Sequence, residues 1–359
     1  MPQYVIINAD DFGLSCSINR GIMEAHRLGT VSSASLMVNT PGFLEAVSLA
    51  KATPSLGVGL HFNLTYGTPA TNPLLVPSLV RAGGSFHGNH GEWRAHDIAR
   101  ELDTQYGRML KHGLRPTHVD SHHHIHLDNP VVYSLVKKLV QHEQLPVRLP
   151  SSRPDPELPW VTDELLMYTF DSQTGVPHLL SLLRNLPEGI TELLCHPGYV
   201  DDDVRRLSTW TTAREEEMAV FIDPQVVGCI AELQAHGILQ VIHYGQLPAI
   251  RSALNSETDS SHLSTTDDSI SQAVEADTPP LPTSEHSLSQ IPEADTRLLQ
   301  APHRSILTRK NKVKIKRKRT KKKKSHRKRT RIARSRVRRH VRGKRIVGRR
   351  RRLISLSTI

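Results

Sequence analysis

A chain of 359 residues can bury the core of one large α/β domain or of two ordinary ones. Its net charge of +12 conceals a split: residues 304–352 hold 28 of the 47 Lys and Arg, whereas residues 1–303 carry 19 basic against 35 acidic side chains, a net of −16. Three widely spaced cysteines, Cys16, Cys195 and Cys229, form no CxxC pair, which speaks against a disulfide framework and a structural zinc knuckle and fits a reducing cytoplasm.

The chain opens on "MPQYVIINADDFG", which lacks the basic and apolar regions of a signal peptide, and no run of 18 apolar residues occurs. A cytoplasmic protein without a transmembrane segment is expected. From residue 3 to about 250, apolar β-rich runs alternate with segments of helical period, the βαβα pattern of a parallel sheet or barrel. The expected strands are 4–9, 33–38, 57–64, 117–121, 146–150, 191–196 and 238–244. "SINRGIMEAHRLG" puts Ile18, Ile22 and Ala25 on one helical face and ends at Gly29, suited to a C-cap. Further helices are expected at about 97–112, 129–143, 176–185 and 223–236. That count suits a (β/α) barrel, with an open Rossmann-like sheet as the alternative.

Four patches that could carry chemistry follow the predicted strands, the edge where α/β barrels build their sites. In "NADDFG", Asp10 and Asp11 should point in different directions, one binding a cation and the other acting as a base; the pair also suits an N-cap for the next helix. In "GLHFNLT", His61 interrupts an apolar strand, as a ligand or as a hydrogen-bonded core residue. "HVDSHHHIH", residues 118–126, packs five histidines and one aspartate into nine positions, and strand alternation puts His118, Asp120 and His122 on one face. Imidazoles there suit zinc, and carboxylates with water suit magnesium or manganese; the alternative is a solvated polar loop. His196 ends an apolar strand before the Pro-Gly turn of "CHPGY", placed as a general acid or as a turn residue. An Asp, His, His set with an open position is what a hydrolytic metal site needs.

Residues 255–303 change to a Ser/Thr/Pro-rich acidic composition that buries too little to fold, and an unfolded linker is expected. Residues 304–359 form a Lys/Arg-rich tail, extended and solvated unless it meets a polyanion.

The motifs "INADDFGLS", "GLHFNLT", "RPTHVDSHHHIH" and "CHPGY", in that order, resemble those of the YdjC-like carbohydrate deacetylases, the group that includes chitooligosaccharide deacetylase. The resemblance covers residues 1 to about 250 and implies an α/β fold, a (β/α) barrel of the glycoside hydrolase/deacetylase type assigned to residues 1–254. It also implies one divalent ion, magnesium foremost with zinc or manganese as alternatives, and removal of acetyl groups from N-acetylated sugars. Carried over by position, Asp11, His61 and His122 are its metal ligands, Asp10 its catalytic base and His196 its acid; His124 and His126 either support the ligands or touch the sugar. The metal would acidify a water, Asp10 would take its proton as hydroxide attacks, and His196 would protonate the departing amine. Trp93, Trp160 and Trp210 are candidates for stacking on sugar faces or for core packing.

Two rival readings remain. The tail, through residues 304–352, could make the protein a sequence-independent binder of nucleic acid or of an anionic envelope polymer. The metal could instead serve hydrolysis of another bond, although two-metal phosphoesterases need more bridging carboxylates than stand near these histidines. A homodimer is compatible with the sequence, which does not reveal the sugar.

Overall fold

The computed structural model describes residues 3–167 and 174–263, with side chains placed through residue 256. Among the described residues, seven parallel strands form one sheet: β1 (Gln3–Phe12), β2 (Ser33–Leu36), β3 (Gly57–Phe62), β4 (Val119–Ser121), β5 (Glu164–Met167), β6 (Gly189–Cys195) and β7 (Leu239–Val241). Their order is β4-β3-β2-β1-β6-β5, with β7 against β1. The first residues of β1, Gln3–Val5, lie between β6 and β7, whereas Asn8–Phe12 pair with β2. Because β7 takes the place beside the start of β1 that β2 takes beside its end, the sheet curls. The expected barrel is present as a half-barrel with helices around it.

The helices are α1 (Cys16–Arg27), α2 (Phe43–Ala52), α3 (Ala95–Lys111), α4 (Ile125–Asp128), α5 (Pro130–Glu143), α6 (Val176–Arg184), α7 (Asp202–Leu207), α8 (Thr212–Phe221), α9 (Pro224–Ala235) and α10 (Leu247–Leu263). Local chemistry sets their ends. Ser15, and not Asp10 or Asp11, caps α1 by accepting from the Ile18 N–H, and Gly29 at φ +87° follows the last turn. Asn129 accepts from the Val131 and Val132 N–H groups at the start of α5, where Pro130 takes the first position, which needs no N–H donor.

Strand alternation sorts the side chains into two layers. Val5, Ile7 and Ala9 of β1, Ala34 and Leu36 of β2, Val58, Leu60 and Phe62 of β3, and Leu193 and Cys195 of β6 join the main core with the helices. On the other face, Ile6, Ile190, Ile242 and Tyr244 make a small second core with Leu247 and Leu254 of α10. Above it, the same face carries Asn8, Asp10, Ser35, His61, His118, Asp120 and Glu192, all buried.

Two expectations need correction. Residues 146–150 form no named strand: Pro146 and Pro150 flank them, and only Val147 bridges to Val119. The strand in this part of the chain is β5, whose four residues are half-buried or exposed and so carry a weak pattern. Helices α2, α4, α7, α8 and α10 are also additional; α8 carries "REEEM", which breaks up the apolar period. Helix α10 crosses residue 254, where the folded body was expected to end. The rest of the expected linker and the whole basic tail lie outside the described residues. Among the described residues no single helix is long and apolar enough to cross a membrane; α8 and α9 reach that length only across a 47° bend, with Met218, Phe221, Val226 and Ile230 buried.

Candidate metal centre

The C-terminal ends of β1, β3, β4 and β6 meet at one cavity of about 320 Å³. Asp10, Asp11, His61, His122, His124 and His196, drawn from all four sequence patches, line it. Both aspartates face the cavity, contrary to the divergent directions that strand alternation implies. The cause is a register break in β1 between Ala9 and Phe12, where Asp11 sits in the left-handed region at φ 68°. Such a conformation costs a non-glycine residue about 1–3 kcal/mol and is kept where the surroundings demand it. His123 and His124, in the one-turn 3₁₀ segment after β4, are likewise left-handed, at φ 54° and 52°. Thus three of the four positive-φ non-glycine residues among the described residues stand at this cavity.

The pairing of His61 with Asp120 in the β3–β4 register sets the next layer. His61 Nδ1 donates to Asp120 Oδ1 at 2.7 Å, which turns Nε2 towards Asp11 Oδ1 at 3.5 Å and Asp10 Oδ2 at 3.9 Å. Carboxylate–histidine pairs of this kind orient imidazoles that bind metals. His122 Nδ1 lies 3.0 Å from the same Asp11 oxygen, and that buried oxygen makes no hydrogen bond. Asp11 Oδ1, His61 Nε2 and His122 Nδ1 therefore converge without saturating one another, a donor set that fits a divalent cation. Burial opposes a proton on His61, but Asp120 and Asp10 outweigh it and raise its pKa to about 10. A corner that holds a proton so firmly also attracts a metal ion, and the two compete for Nε2. A second group, Asp10, His61 and Asp120, could also offer ligands, but Arg148 already neutralises both of its carboxylates.

Arg148 is wholly buried under the cavity. Its Nη1 and Nη2 donate to Asp10 at 2.8 and 2.7 Å, its Nε donates to Glu192 at 2.9 Å, and Nη2 lies 2.8 Å from Asp120. Tyr244 donates to the other oxygen of Glu192. Burial pushes the Asp10 carboxyl up, and Arg148 more than offsets this, so Asp10 stays ionised with Oδ2 3.9 Å from His196 Nε2. Burial lowers the pKa of His196 to about 4, so its imidazole is neutral near pH 7. On the far side, Arg214 of α8 donates to Asp11 Oδ2; burial raises the Asp11 carboxyl, and Arg214 with His122 holds it well below the usual carboxylate range.

His124 lines the cavity, but His126 does not. His126 is buried behind it and donates through Nε2 to the Arg148 carbonyl at 2.9 Å. Its Nδ1 must then accept from Ser121 Oγ at 2.5 Å, while Ser121 Oγ accepts the His126 N–H. His126 is thus a support between β4 and the Arg148 segment, not a group exposed to a ligand. His118 also lies below the site, stacked on Tyr244 and 3.1 Å from Ser35 Oγ. Sequence reasoning missed Arg148, Glu192 and Arg214. A charge inside each of the apolar runs "PVRLP" and "TELLCH" marks the first two, whereas nothing local marks Arg214.

Fold and site together define an α/β half-barrel protein with a candidate metal centre at the C-terminal rim of its sheet. The sequence pattern of the YdjC-like protein family matches residues 4–232, and the chain belongs to that family. It is 42% identical over 250 residues to a carbohydrate deacetylase of Geobacillus stearothermophilus, covering 68% of this chain and 98% of the relative. It is 35% identical over 251 residues to a chitooligosaccharide deacetylase of Serratia marcescens, covering 65% and 96%. Among solved structures, one of a protein from Enterococcus faecalis V583 superposes with a TM-score of 0.61 at 30% identity, covering 69% of this chain and 99% of that one.

Proposed function

We propose that this protein is a carbohydrate deacetylase that hydrolyses the acetamide of an N-acetylated sugar such as a chitooligosaccharide, with Asp11, His61 and His122 holding one divalent cation. Magnesium is the first choice, with zinc or manganese as alternatives. The observation that carries this reading is the convergence of three unsaturated donor atoms on one cavity beside the clamped Asp10 carboxylate and His196. The names of the relatives in G. stearothermophilus and S. marcescens support the choice of reaction.

When bound, a divalent cation acidifies water and polarises a carbonyl oxygen. Asp10 is the base: Arg148 keeps it ionised and fixes it, and its Oδ2 lies 3.9 Å from both His61 Nε2 and His196 Nε2. His196 is neutral at rest, so the proton it hands to the departing amine is one it takes up during the reaction. Asp10, 3.9 Å away, is the carboxylate that holds this proton after the attack. Acetate and a free amino sugar are the products. Free Cys16, Cys195 and Cys229 suit a cytoplasmic setting.

The test is acetate release from a panel of N-acetylated sugars, using protein stripped with a chelator and given magnesium, manganese or zinc in turn. Release that returns with metal supports the reading; no release with any pair refutes it.

A second reading concerns the tail. The family match ends at residue 232, and 28 Lys and Arg follow within residues 304–352 with no acidic residue among them, which suits binding to a phosphate polymer without sequence preference. Deleting residues 264–359 should abolish salt-sensitive DNA binding and spare acetate release; undiminished DNA binding would remove this role.

A further inference from the structure

Part of the cavity wall comes from outside the barrel strands, from Leu207, Ser208, Thr209, Trp210 and Arg214, none of which the chemistry above employs beyond the hold of Arg214 on Asp11. Arg214 is only 3% exposed. Its Nε donates to the Trp210 carbonyl at 3.0 Å and its Nη2 to Asp11, but Nη1 is buried with no hydrogen-bond partner. A buried guanidinium nitrogen without an acceptor is unfavourable, and in a cavity wall it marks a place where a ligand oxygen completes the set. Trp210 lines the same cavity and is 38% exposed, and the bond to its carbonyl ties the indole and the guanidinium into one unit. Trp93 and Trp160 differ: both pack against the cores and neither lines this cavity.

We infer that Trp210 and Arg214 form the subsite that grips the sugar, the indole lying against an apolar face of the ring and Arg214 Nη1 donating to a neutral hydroxyl. This rests on the deacetylase reading. A neutral acceptor is favoured because Asp11 already balances the charge of Arg214 and residues 1–303 carry a net −16. A hydroxyl, and not the acetyl oxygen, is the partner because the acetyl group is assigned to the donor triangle with Asp10 and His196, while Arg214 is tied to the Trp210 wall. Arg214 thereby links sugar binding to the orientation of Asp11.

The test titrates full-length, metal-loaded protein carrying Asp10→Asn, so that the sugar is not consumed, with diacetylated chitobiose in a calorimeter. Adding Arg214→Lys keeps the charge but cannot span Asp11, the Trp210 carbonyl and the ligand together; it should weaken binding about ten- to hundredfold. Trp210→Ala, at a half-exposed site that tolerates truncation, should weaken it about tenfold. In the otherwise unaltered enzyme Trp210→Ala should raise KM while leaving kcat within about threefold, whereas Arg214→Lys, which also loosens Asp11, should raise KM and lower kcat as well. Monodeoxy analogues then locate the oxygen: for the one lacking the gripped hydroxyl, Arg214→Lys costs nothing further. Should Arg214→Lys fail to fold, Trp210→Ala and the analogues tested on protein with Arg214 intact still decide the matter. Acetate release by wild type with unchanged binding in Trp210→Ala and no sensitive hydroxyl overturns the subsite and leaves the deacetylase reading standing. Neither release nor binding of any acetylated sugar by wild type overturns both.

Discussion

Replacing Arg148 by Met keeps an unbranched stem and removes the guanidinium charge that Asp10, Asp120 and Glu192 share. All four groups are buried, so the carboxylates would lose their main counter-charge, with only the charge of His61 left beside Asp10 and Asp120. Removing one partner from a buried ion pair costs about 3–5 kcal/mol. At about 2–4 °C per kcal/mol for a domain of this size, the full-length protein should lose about 6–20 °C in Tm at pH 7.5, read by circular dichroism. The dependence on pH tests the cause. In wild type, burial raises the Asp10 and Asp120 carboxyls but Arg148 outweighs it and holds both below their ordinary value, so their contribution is present near neutrality and is lost on acidification through the folded values. In the variant burial and the mutual repulsion of the carboxylates are opposed by His61 without Arg148, the folded values rise, and protonation relieves the strain. The Tm gap between the two proteins should therefore narrow from pH 8 to pH 5. A gap under about 2 °C at pH 7.5, or one that widens on acidification, would falsify the ion network as a source of stability.

Asp10→Asn should cut kcat by about 10²–10⁴ while metal content, read by atomic emission, stays at wild-type stoichiometry; retained turnover would remove Asp10 as the base. His126 is buried, which lowers its pKa from 6.5 to about 4. The unfolded chain takes up this proton first, so stability should decline as pH falls from about 6.5 to 4, by up to about 3 kcal/mol from this group. His126→Asn should flatten that part of the urea-midpoint profile; an unchanged slope would assign the acid sensitivity elsewhere. Gly59 faces the ring of His118 so closely that an added Cβ would overlap it, and both lie in the polar layer under the site. Gly59→Ala should cost about 1–3 kcal/mol in urea unfolding, and a neutral result would mean that the ring moves aside freely.

Much of the site was legible in the chain because parallel strands in a barrel-type fold deliver their C-terminal ends to one rim. Asp10, Asp11, His61, His122 and His196 each follow or end an apolar run, and that local fact was enough to place them together. The weak strand β5 and the helix α8 were not legible, because their residues carry too little apolar period to stand out. Within "HVDSHHHIH" the sequence offered five imidazoles and no means of ranking them. The left-handed turn at His123 and His124 ranks them: His122 meets Asp11, His124 lines the cavity, and His118 and His126 are turned inwards as supports.

The amino-acid sequence by itself determined the strand and helix periods, the location of the ionisable residues at strand ends, and the separation of an acidic body from a basic tail, since each of these depends on neighbours in the chain. Only the tertiary structure decided that Asp11 turns back to face the same cavity as Asp10, and that Arg148 and Arg214 each hold one of those two carboxylates. Those relations join residues 138 and 203 positions apart. The charge balance of a buried site is a sum over groups that only folding brings within a few ångströms, so no local pattern records it.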